Sequence, residues 1–305
     1  MKQASSSSVI VVDEVRKTYG DLRAVDGVSF EVGAGEFFGI LGPNGAGKTT
    51  TLEIIEGLRA ADSGGVRLLG APPWPRNRGL LPQIGVQLQA SAFFERLTAR
   101  EQIRTFASLY GVASSAGDAW LERVGLVEKG DTQTSKLSGG QLQRLSIACA
   151  LVHEPTVVFL DEPTAALDPQ GRRNLWDLLS SLNDGGRTVV LTTHYMDEAE
   201  MLCDRVAIMD HGRILELDSP PALIRALDAG VRISVDPLAL SLVDAQTLHG
   251  VETAAEDEAA VTMSTRDPAA VLSALAQREA LTGLQVRGAT LEDVFLTLTG
   301  REYRA

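Results

Sequence analysis

The chain has 305 residues, a formal net charge of −12 at pH 7 and a pI near 4.9. With only five lysines it lacks the clustered positive charge that binding to nucleic-acid phosphates requires, which argues against a nucleic-acid partner. Its length and 44% hydrophobic content allow one large core and one smaller core. The sequence has no run of about 18 apolar residues, so no membrane-spanning helix is predicted.

The first part of the chain is predicted to form a small β-region. Residues 1–8 are polar and serine-rich and lack the apolar stretch of a secretory signal, so we expect them to be a disordered terminus. Val9–Val12 and Val28–Val32 follow as predicted strands, with glycines between them as turn residues.

The next segment has the GxxxxGK[ST] spacing that lets a backbone wrap a nucleotide polyphosphate. A short buried strand, Glu36–Leu41, is predicted before it, and Thr49–Leu58 continues with helical spacing of apolar residues. The glycines let backbone N–H groups point at phosphate oxygens, and the helix offers its positive N-terminus. We therefore predict ATP or GTP as the ligand, with Lys48 at the outer phosphates and Thr49 on Mg²⁺. The predicted phosphate-binding residues, called the phosphate loop below, are Gly42, Pro43, Asn44, Gly45, Ala46, Gly47, Lys48, Thr49 and Thr50.

A helical segment is predicted to interrupt the chain after the phosphate loop. Residues 71–82 contain four prolines and cannot hold a regular helix, so they mark a surface connection. Thr98–Leu109 and Ala116–Val124 have helical spacing, and with the helix that follows they predict a helical subdomain at about residues 90–150.

The segment Leu137–Gln141, with the sequence LSGGQ, is predicted to open the next helix. Ser138 is a natural N-cap, and Gln141 three residues later completes a capping box. The helix N-terminus is therefore a second predicted anion site, although the same pattern is typical of any well-capped helix. Cys149 on this helix and the distant Cys203 lack metal-ligand spacing, which predicts reduced core cysteines and suits the cytosol.

Two carboxylates follow the apolar predicted strand Thr156–Leu160. A second apolar run, Thr188–Thr192, comes after a predicted helix at Arg172–Leu182, and this alternation predicts a parallel sheet. Asp161 and Glu162 then lie at the carboxyl end of a buried parallel strand, where open α/β sheets bind ligands. Asp161 is suited to hold Mg²⁺ and Glu162 to deprotonate a water, whereas the alternative is an ordinary pair of solvated strand-end residues.

The character of the chain changes after Pro220 and Pro221. Residues 231–305 contain no lysine and have 11 acidic side chains against 6 arginines. Short alternating runs at Val231–Val235 and Ala260–Ser264 and a helix candidate at Pro268–Arg278 predict a compact α+β accessory domain over residues 226–305.

Together these motifs resemble the nucleotide-binding subunit of ATP-binding cassette transporters, over about residues 9–225. The resemblance implies an α/β P-loop ATPase fold with a RecA-like parallel sheet core, an antiparallel β-subdomain and an α-helical subdomain. It also implies ATP and Mg²⁺ as ligands. In that family the LSGGQ segment closes over ATP held by another subunit, so two copies would sandwich two ATP molecules. This carries over Ser138, Gly139 and Gly140 as contacts made across the dimer, with Gln141 as a further nucleotide-binding residue.

Other residues gain roles only from this resemblance. Tyr19 matches the aromatic residue that stacks on adenine, and Asp168 matches the loop that couples the two sites, although Ala165-Ala166 replaces the usual small-Gly pair before it. His194 follows a predicted strand and matches the histidine that holds water, phosphate and the catalytic glutamate. Gln89 aligns with the glutamine that contacts Mg²⁺ and the attacking water, with Gln87 as the competing candidate.

Two further segments, residues 24–30 and 290–300, look similar to the daunorubicin-resistance type of export ATPase. This resemblance implies an exporter of a drug, antibiotic or lipid that works through separate membrane permease subunits at the cytoplasmic face of the membrane. Phe93 and Phe94 are either core residues or part of the groove for a permease helix, with equal weight.

The rival interpretations are a soluble cassette ATPase that acts on ribosomes or DNA and a nucleotide sensor without turnover. A single cassette, acidic charge and the short separation of Lys48 from Leu137 favour the transporter over the first rival. The presence of Glu162 and His194 favours hydrolysis over the second.

Overall fold

The computed structural model describes residues 8–88, 93–165 and 167–300 of the chain. The chain divides into two compact units, Met1–Pro220 and Pro221–Ala305. The first unit contains, in chain order, β1 (Ser8–Tyr19), β2 (Leu22–Gly33), β3 (Phe37–Leu41), α1 (Lys48–Ile55), β4 (Ser63–Leu68), β5 (Ile84–Gln87), α2 (Ala99–Leu109), α3 (Ser114–Arg123), α4 (Gly139–Leu151), β6 (Val157–Asp161), α5 (Pro169–Asp184), β7 (Thr188–Thr193), α6 (Met196–Leu202), β8 (Arg205–Asp210) and β9 (Arg213–Asp218).

The main sheet of the first unit has the strand order β5-β6-β7-β3-β8-β9. Neighbours from β5 to β8 are parallel, and β9 pairs antiparallel with β8. Every residue of β3, β6 and β7 is buried, as expected of strands covered on both faces, so the predicted parallel sheet is confirmed. Because β6, β7 and β3 are adjacent, their carboxyl ends meet at one edge of the sheet.

A second, antiparallel sheet has the order β2-β1-β4. Strands β1 and β2 are much longer than predicted, since they form one hairpin around Gly20, whose φ of +57° suits a tight turn. Ser8, predicted to be disordered, is the first residue of β1, and residues 1–7 lie outside the described part of the chain. A single core joins the two sheets: Phe30 of β2 stacks on Phe38 of β3 at 4.9 Å between ring centroids.

Helix α1 follows β3 and packs into this core through Leu52 and Ile55. It ends at Ile55 and not at Leu58 as predicted, because Gly57 has a φ of +73°. Leu58 is consequently 48% exposed. Helices α2 to α4 form the predicted helical segment, where Trp120 of α3 is buried.

Helix α7 (Pro220–Ala226) begins at the last residue of the first unit. The second unit then contains β10 (Val231–Val235), α8 (Leu242–Thr247), β11 (Thr253–Glu256), β12 (Val261–Thr265), α9 (Pro268–Gln277), β13 (Gln285–Arg287) and α10 (Leu291–Thr299). Its antiparallel sheet has the order β11-β12-β10-β13. Ile233 and Met263 on paired strands pack with Val271 and Leu275 of α9 in a separate core. Among the helices of both units, within the described ranges, none has the length and apolar character needed to cross a bilayer.

Candidate nucleotide-binding and hydrolysis site

The phosphate loop joins β3 to α1 and requires glycine at two positions. A Cβ on Gly42 would lie 2.3 Å from the carbonyl oxygen of Met209, and one on Gly47 would lie 2.1 Å from that of Ala24. Gly47 also has a φ of +101° and precedes the first residue of α1. The loop is thus packed tightly against its neighbours, and α1 begins at Lys48 with its N-terminus at the loop.

Lys48 is almost fully buried, with 4% of its surface exposed. Its Nζ donates to the carbonyl oxygens of Gly42 at 2.8 Å and Pro43 at 3.2 Å, and it lies 3.2 Å from Glu162 Oε1. Burial lowers the pKa of Lys48 from its ordinary value, against the opposing effect of the nearby Glu162 carboxylate. The ammonium is therefore fixed at the loop by three oxygens.

Asp161 ends β6 directly opposite the start of α1. Thr49 Oγ1 donates to Asp161 Oδ1 at 3.2 Å, and Thr192 Oγ1 donates to the same oxygen. Burial raises the pKa of Asp161, and the hydrogen bonds from the two threonines act in the opposite direction. Thr49 and Asp161 thereby place two oxygen ligands side by side, which suits a hard cation such as Mg²⁺.

Glu162 adopts a backbone conformation that a glutamate rarely takes, with a φ of +48°. Its backbone N–H donates to both the carbonyl and hydroxyl oxygens of Thr192, each at 3.1 Å. The carboxylate lies between Lys48 and His194, whose Nδ1 is 3.3 Å from Glu162 Oε1. The hydrogen bond from His194, and then the charge of Lys48, hold the pKa of Glu162 below its ordinary value in spite of burial, so this carboxylate is ionised at neutral pH.

His194 follows β7, one strand across from Glu162 in the sheet. Its ring contacts that of Tyr195, with centroids 4.1 Å apart, and the Arg172 guanidinium lies 4.1 Å from the Tyr195 ring centroid. The histidine side chain is 19% exposed. It is therefore held by packing while it still reaches the edge of the sheet.

Three further predicted residues are Tyr19, Gln89 and Gln87. Tyr19 ends β1 and is 40% exposed. Gln89 lies outside the described residues, as does Ala166. The competing Gln87 is 1% exposed and donates through Nε2 to the carbonyl oxygen of Leu88 at 2.6 Å.

The LSGGQ segment opens α4 with the predicted capping box. Gln141 N donates to Ser138 Oγ at 3.3 Å, and Ser138 N donates to Gln141 Oε1 at 3.0 Å. The segment borders a groove of about 410 Å³ that it shares with Asp168, the N-cap of α5. The lining residues all fall within 138–144 and 167–174, so this groove is formed without the phosphate loop. A Cβ on Gly140 would lie 2.9 Å from the Cδ2 methyl of Leu167, so Gly140 and Leu167 are close neighbours in this groove.

Sequence reasoning missed two polar residues near the site. Thr192 holds both Asp161 and the backbone of Glu162, and its only signal was a hydroxyl at the end of an apolar strand. Glu56 follows α1 and is 6% exposed, and neither of its oxygens has a hydrogen-bond partner among the residues that the structure describes. A glutamate at a helix end gave no signal of burial.

Comparisons with known proteins identify relatives of this chain. The ABC transporter family model matches residues 25–165. Nod factor export ATP-binding protein I of Paraburkholderia xenovorans is 42% identical over 303 residues, covering 97% of this chain and 98% of that protein. Its counterpart in Sinorhizobium fredii is 38% identical, covering 100% of this chain and 90% of that protein.

Solved structures show the same fold. The structure of an ATP-binding subunit of an ABC transporter matches with a TM-score of 0.66 and 26% identity, covering 72% of this chain and 94% of that one. A dimeric ATP-binding cassette in a post-hydrolysis state, bound to ADP and phosphate, matches with a TM-score of 0.63 and 29% identity, covering 69% of this chain and 98% of that one.

The fold and the site therefore define a P-loop ATPase, and the chain belongs to the ABC transporter family as an ATP-binding subunit that hydrolyses ATP. Within that family it is a homologue of the Nod factor export ATP-binding proteins I. The predicted P-loop ABC ATPase fold is confirmed. These relatives give no support to the ribosome-associated alternative.

Proposed function

We propose that this chain powers export by ATP hydrolysis with Glu162 as the general base. The observation that carries the proposal is the position of the Glu162 carboxylate, within 3.3 Å of both Lys48 Nζ and His194 Nδ1 at the carboxyl edge of the sheet. An ionised carboxylate there can take a proton from water while the water oxygen attacks the γ-phosphorus and the bond to ADP breaks. His194 orients Glu162, and Lys48 binds the outer phosphates.

Thr49 and Asp161 are the proposed protein ligands of Mg²⁺, because their side-chain oxygens are 3.2 Å apart beside the phosphate loop. When bound, the cation neutralises charge on the phosphate oxygens. Gln89 is retained as a proposed further ligand and water contact. Tyr19 is the proposed platform for the adenine ring.

We also propose that two copies form the complete sites. The groove at Ser138, Gly139 and Gly140 is built without the phosphate loop of the same chain, so a triphosphate clamped by both needs a second chain. Asp168, in the same groove, is then suited to couple the two sites. The solved cassette that is dimeric in a post-hydrolysis state supports this arrangement by similarity.

We propose that the conformational change driven by ATP binding and hydrolysis is passed to separate permease subunits at the cytoplasmic face of the membrane. Phe94 is 61% exposed and Phe93 is half-buried, which favours the partner groove over the core for Phe94. The relatives are named for Nod factor export, which supports the export direction. For the cargo we propose the class implied by residues 24–30 and 290–300, a drug-like, antibiotic or lipid molecule. Export of an antibiotic would give the cell resistance to it.

A division into an ATPase domain at residues 9–225 and an accessory domain at 226–305 is part of the proposal. The division of the chain into two compact units between Pro220 and Pro221, five residues before the proposed boundary, supports it.

The Glu162→Gln variant tests the hydrolytic role. It keeps the shape of the side chain but removes the base, so we expect turnover to fall by about a hundredfold or more while ATP remains bound. Turnover is measured by phosphate release, and binding by retention of radiolabelled ATP through gel filtration, where a long-lived dimer is also expected. Glu128→Gln, an exposed glutamate in the helical segment, is the matched control. Rapid hydrolysis by the Glu162→Gln protein would remove Glu162 from its role.

A further inference from the structure

Two cations lie over the ring of Tyr19. The guanidinium carbon of Arg59 is 5.3 Å from the ring centroid, and Lys17 Nζ is 5.7 Å from it. Both distances fall within the roughly 6 Å over which a cation is attracted to the face of an aromatic ring. The tyrosine is 40% exposed at the end of β1. The two cations are therefore neighbours that can restrict the orientation of an otherwise exposed ring.

Each cation is in turn held by a carboxylate. Arg59 Nε donates to Glu53 Oε2 at 2.6 Å. Lys17 Nζ donates to Asp62 Oδ1 at 2.7 Å, and the other oxygen of Asp62 accepts from the backbone N–H of Thr18, also at 2.7 Å. The two long side chains therefore do not have to be ordered by the tyrosine alone, and the surroundings of its ring are organised in advance.

The Arg59 contact joins the tyrosine to the helix of the phosphate loop. Glu53 is on α1, which begins at Lys48. The turn at Gly57 brings the backbone N–H of Arg59 back to the carbonyl oxygen of Glu53 at 3.1 Å. Lys17, by contrast, is on the same strand as Tyr19, so Arg59 is the cation that relates the ring to the triphosphate-binding end of α1.

We propose that Arg59 is a positioning residue for the base of the bound nucleotide: it fixes the Tyr19 ring at a set orientation to the phosphate loop, and Glu53 fixes Arg59. This inference rests on the proposed function, in which Tyr19 carries the adenine. Since Arg59 acts on the base end only, its loss weakens binding of nucleotides and not binding of a bare triphosphate, and it raises KM for ATP without lowering kcat.

The test compares ATP with inorganic tripolyphosphate, both with Mg²⁺, by isothermal titration of the full chain. For Arg59→Ala we expect ATP affinity to fall by about three- to tenfold, the range of a partly exposed cation–π contact, with tripolyphosphate affinity unchanged. Arg59→Lys should recover part of the loss, because it keeps the charge but not the planar guanidinium and its Nε–H hydrogen bond to Glu53. Arg67→Ala, which removes an exposed arginine from the neighbouring β4, is the control for net charge.

A double-mutant cycle separates positioning from direct contact. In the Tyr19→Ala background, Arg59→Ala should cause no further loss of ATP affinity, because the residue acts through the ring. An additive loss would overturn the inference, as would an equal loss of tripolyphosphate affinity or no loss of ATP affinity at all. If the wild-type chain binds neither ligand, the nucleotide site proposed above has failed and not the role of Arg59. Retained tripolyphosphate binding by each variant shows that the variant is folded.

Discussion

Glu162 and Glu56 are both buried, but their surroundings have opposite effects on their protonation. Glu162 lies beside His194 and Lys48, and these partners hold its pKa below the ordinary value of 4.5. No cation among the described residues pairs with Glu56, and burial, followed by the charge of Asp161, raises its pKa well above the same value. Glu162 is thus ionised at neutral pH, whereas Glu56 is uncharged in the folded protein over more of the pH range.

The Glu56 environment predicts a stability that rises as the pH falls. Its pKa is higher in the folded state than in the unfolded chain, so the folded state binds the extra proton and gains stability from neutral pH down toward 4.5. Glu56→Gln removes this titration and should raise the free energy of unfolding at pH 7 by about 1–3 kcal/mol. The advantage over wild type should shrink toward pH 4.5.

Urea unfolding followed by tryptophan fluorescence measures this effect in the first unit, since Trp74, Trp120 and Trp176 all lie there. The control is Glu122→Gln, which changes an exposed glutamate and should show no such pH-dependent difference. A Glu56→Gln protein less stable than wild type at pH 7 would contradict the expectation that burial of this carboxyl costs free energy.

At the scale of elements, α1 connects most of the site. It begins at the phosphate loop and places the Thr49 hydroxyl beside the Asp161 carboxylate. Its Leu52 and Ile55 pack into the shared core, and its Glu53 accepts a hydrogen bond from Arg59. The helix has to stop within two turns for Arg59 to fold back, and the turn at Gly57 ends it.

Gly57→Ala should therefore destabilise the first unit strongly. Alanine at this position would have to adopt a φ of +73°, and its Cβ would lie 2.4 Å from the carbonyl oxygen of Pro73. We therefore expect the free energy of unfolding to fall by about 2–4 kcal/mol. Gly111→Ala is the matched control, because Gly111 follows α2 with a φ of +70° and a Cβ added there would meet no atom within 4 Å. This substitution should lower the free energy of unfolding by only about 1 kcal/mol. Equal losses in urea unfolding would show that the clash with Pro73 is relieved by a small shift.

The sequence predicted the elements that rest on local patterns. Buried β-branched runs revealed β6 and β7, and the Ser138 capping box revealed the start of α4. The end of α1 was predicted three residues too late, because Leu58 keeps the helical spacing while the backbone is decided by Gly57 and its close approach to Pro73.

The contacts that sequence could not supply are between residues distant in the chain or across a turn. The hydroxyl of Thr192 reaches Asp161 only because β6 and β7 are paired in register, and strand order is a property of the whole sheet. The position of Arg59 over Tyr19 depends on how β1 and α1 pack. Motif spacing thus predicted the candidate site residues, and the packing of the fold decides which neighbours hold their side chains.

At the scale of the whole molecule, the groove at the LSGGQ segment and the phosphate loop are separate features of one chain. If each proposed site takes one from each of two chains, a defect in either feature affects a different half of every site. Ser138→Arg blocks the helix N-terminus with a bulky cation, and Lys48→Ala removes the phosphate-loop ammonium. A dimer of one variant alone then has two defective sites, whereas a mixed dimer has one intact site and one with both defects.

Mixing the two variant chains should therefore restore ATP trapping, which neither variant shows alone. Both chains also carry Glu162→Gln, so that bound ATP is retained and not hydrolysed. At a 1:1 ratio with random pairing, about a quarter of all sites are intact, and ATP trapped through gel filtration should rise from near zero to about a quarter of the Glu162→Gln level. Trapping at the full level by Ser138→Arg alone, or no gain on mixing although the chains exchange, would contradict assembly of each site from two copies.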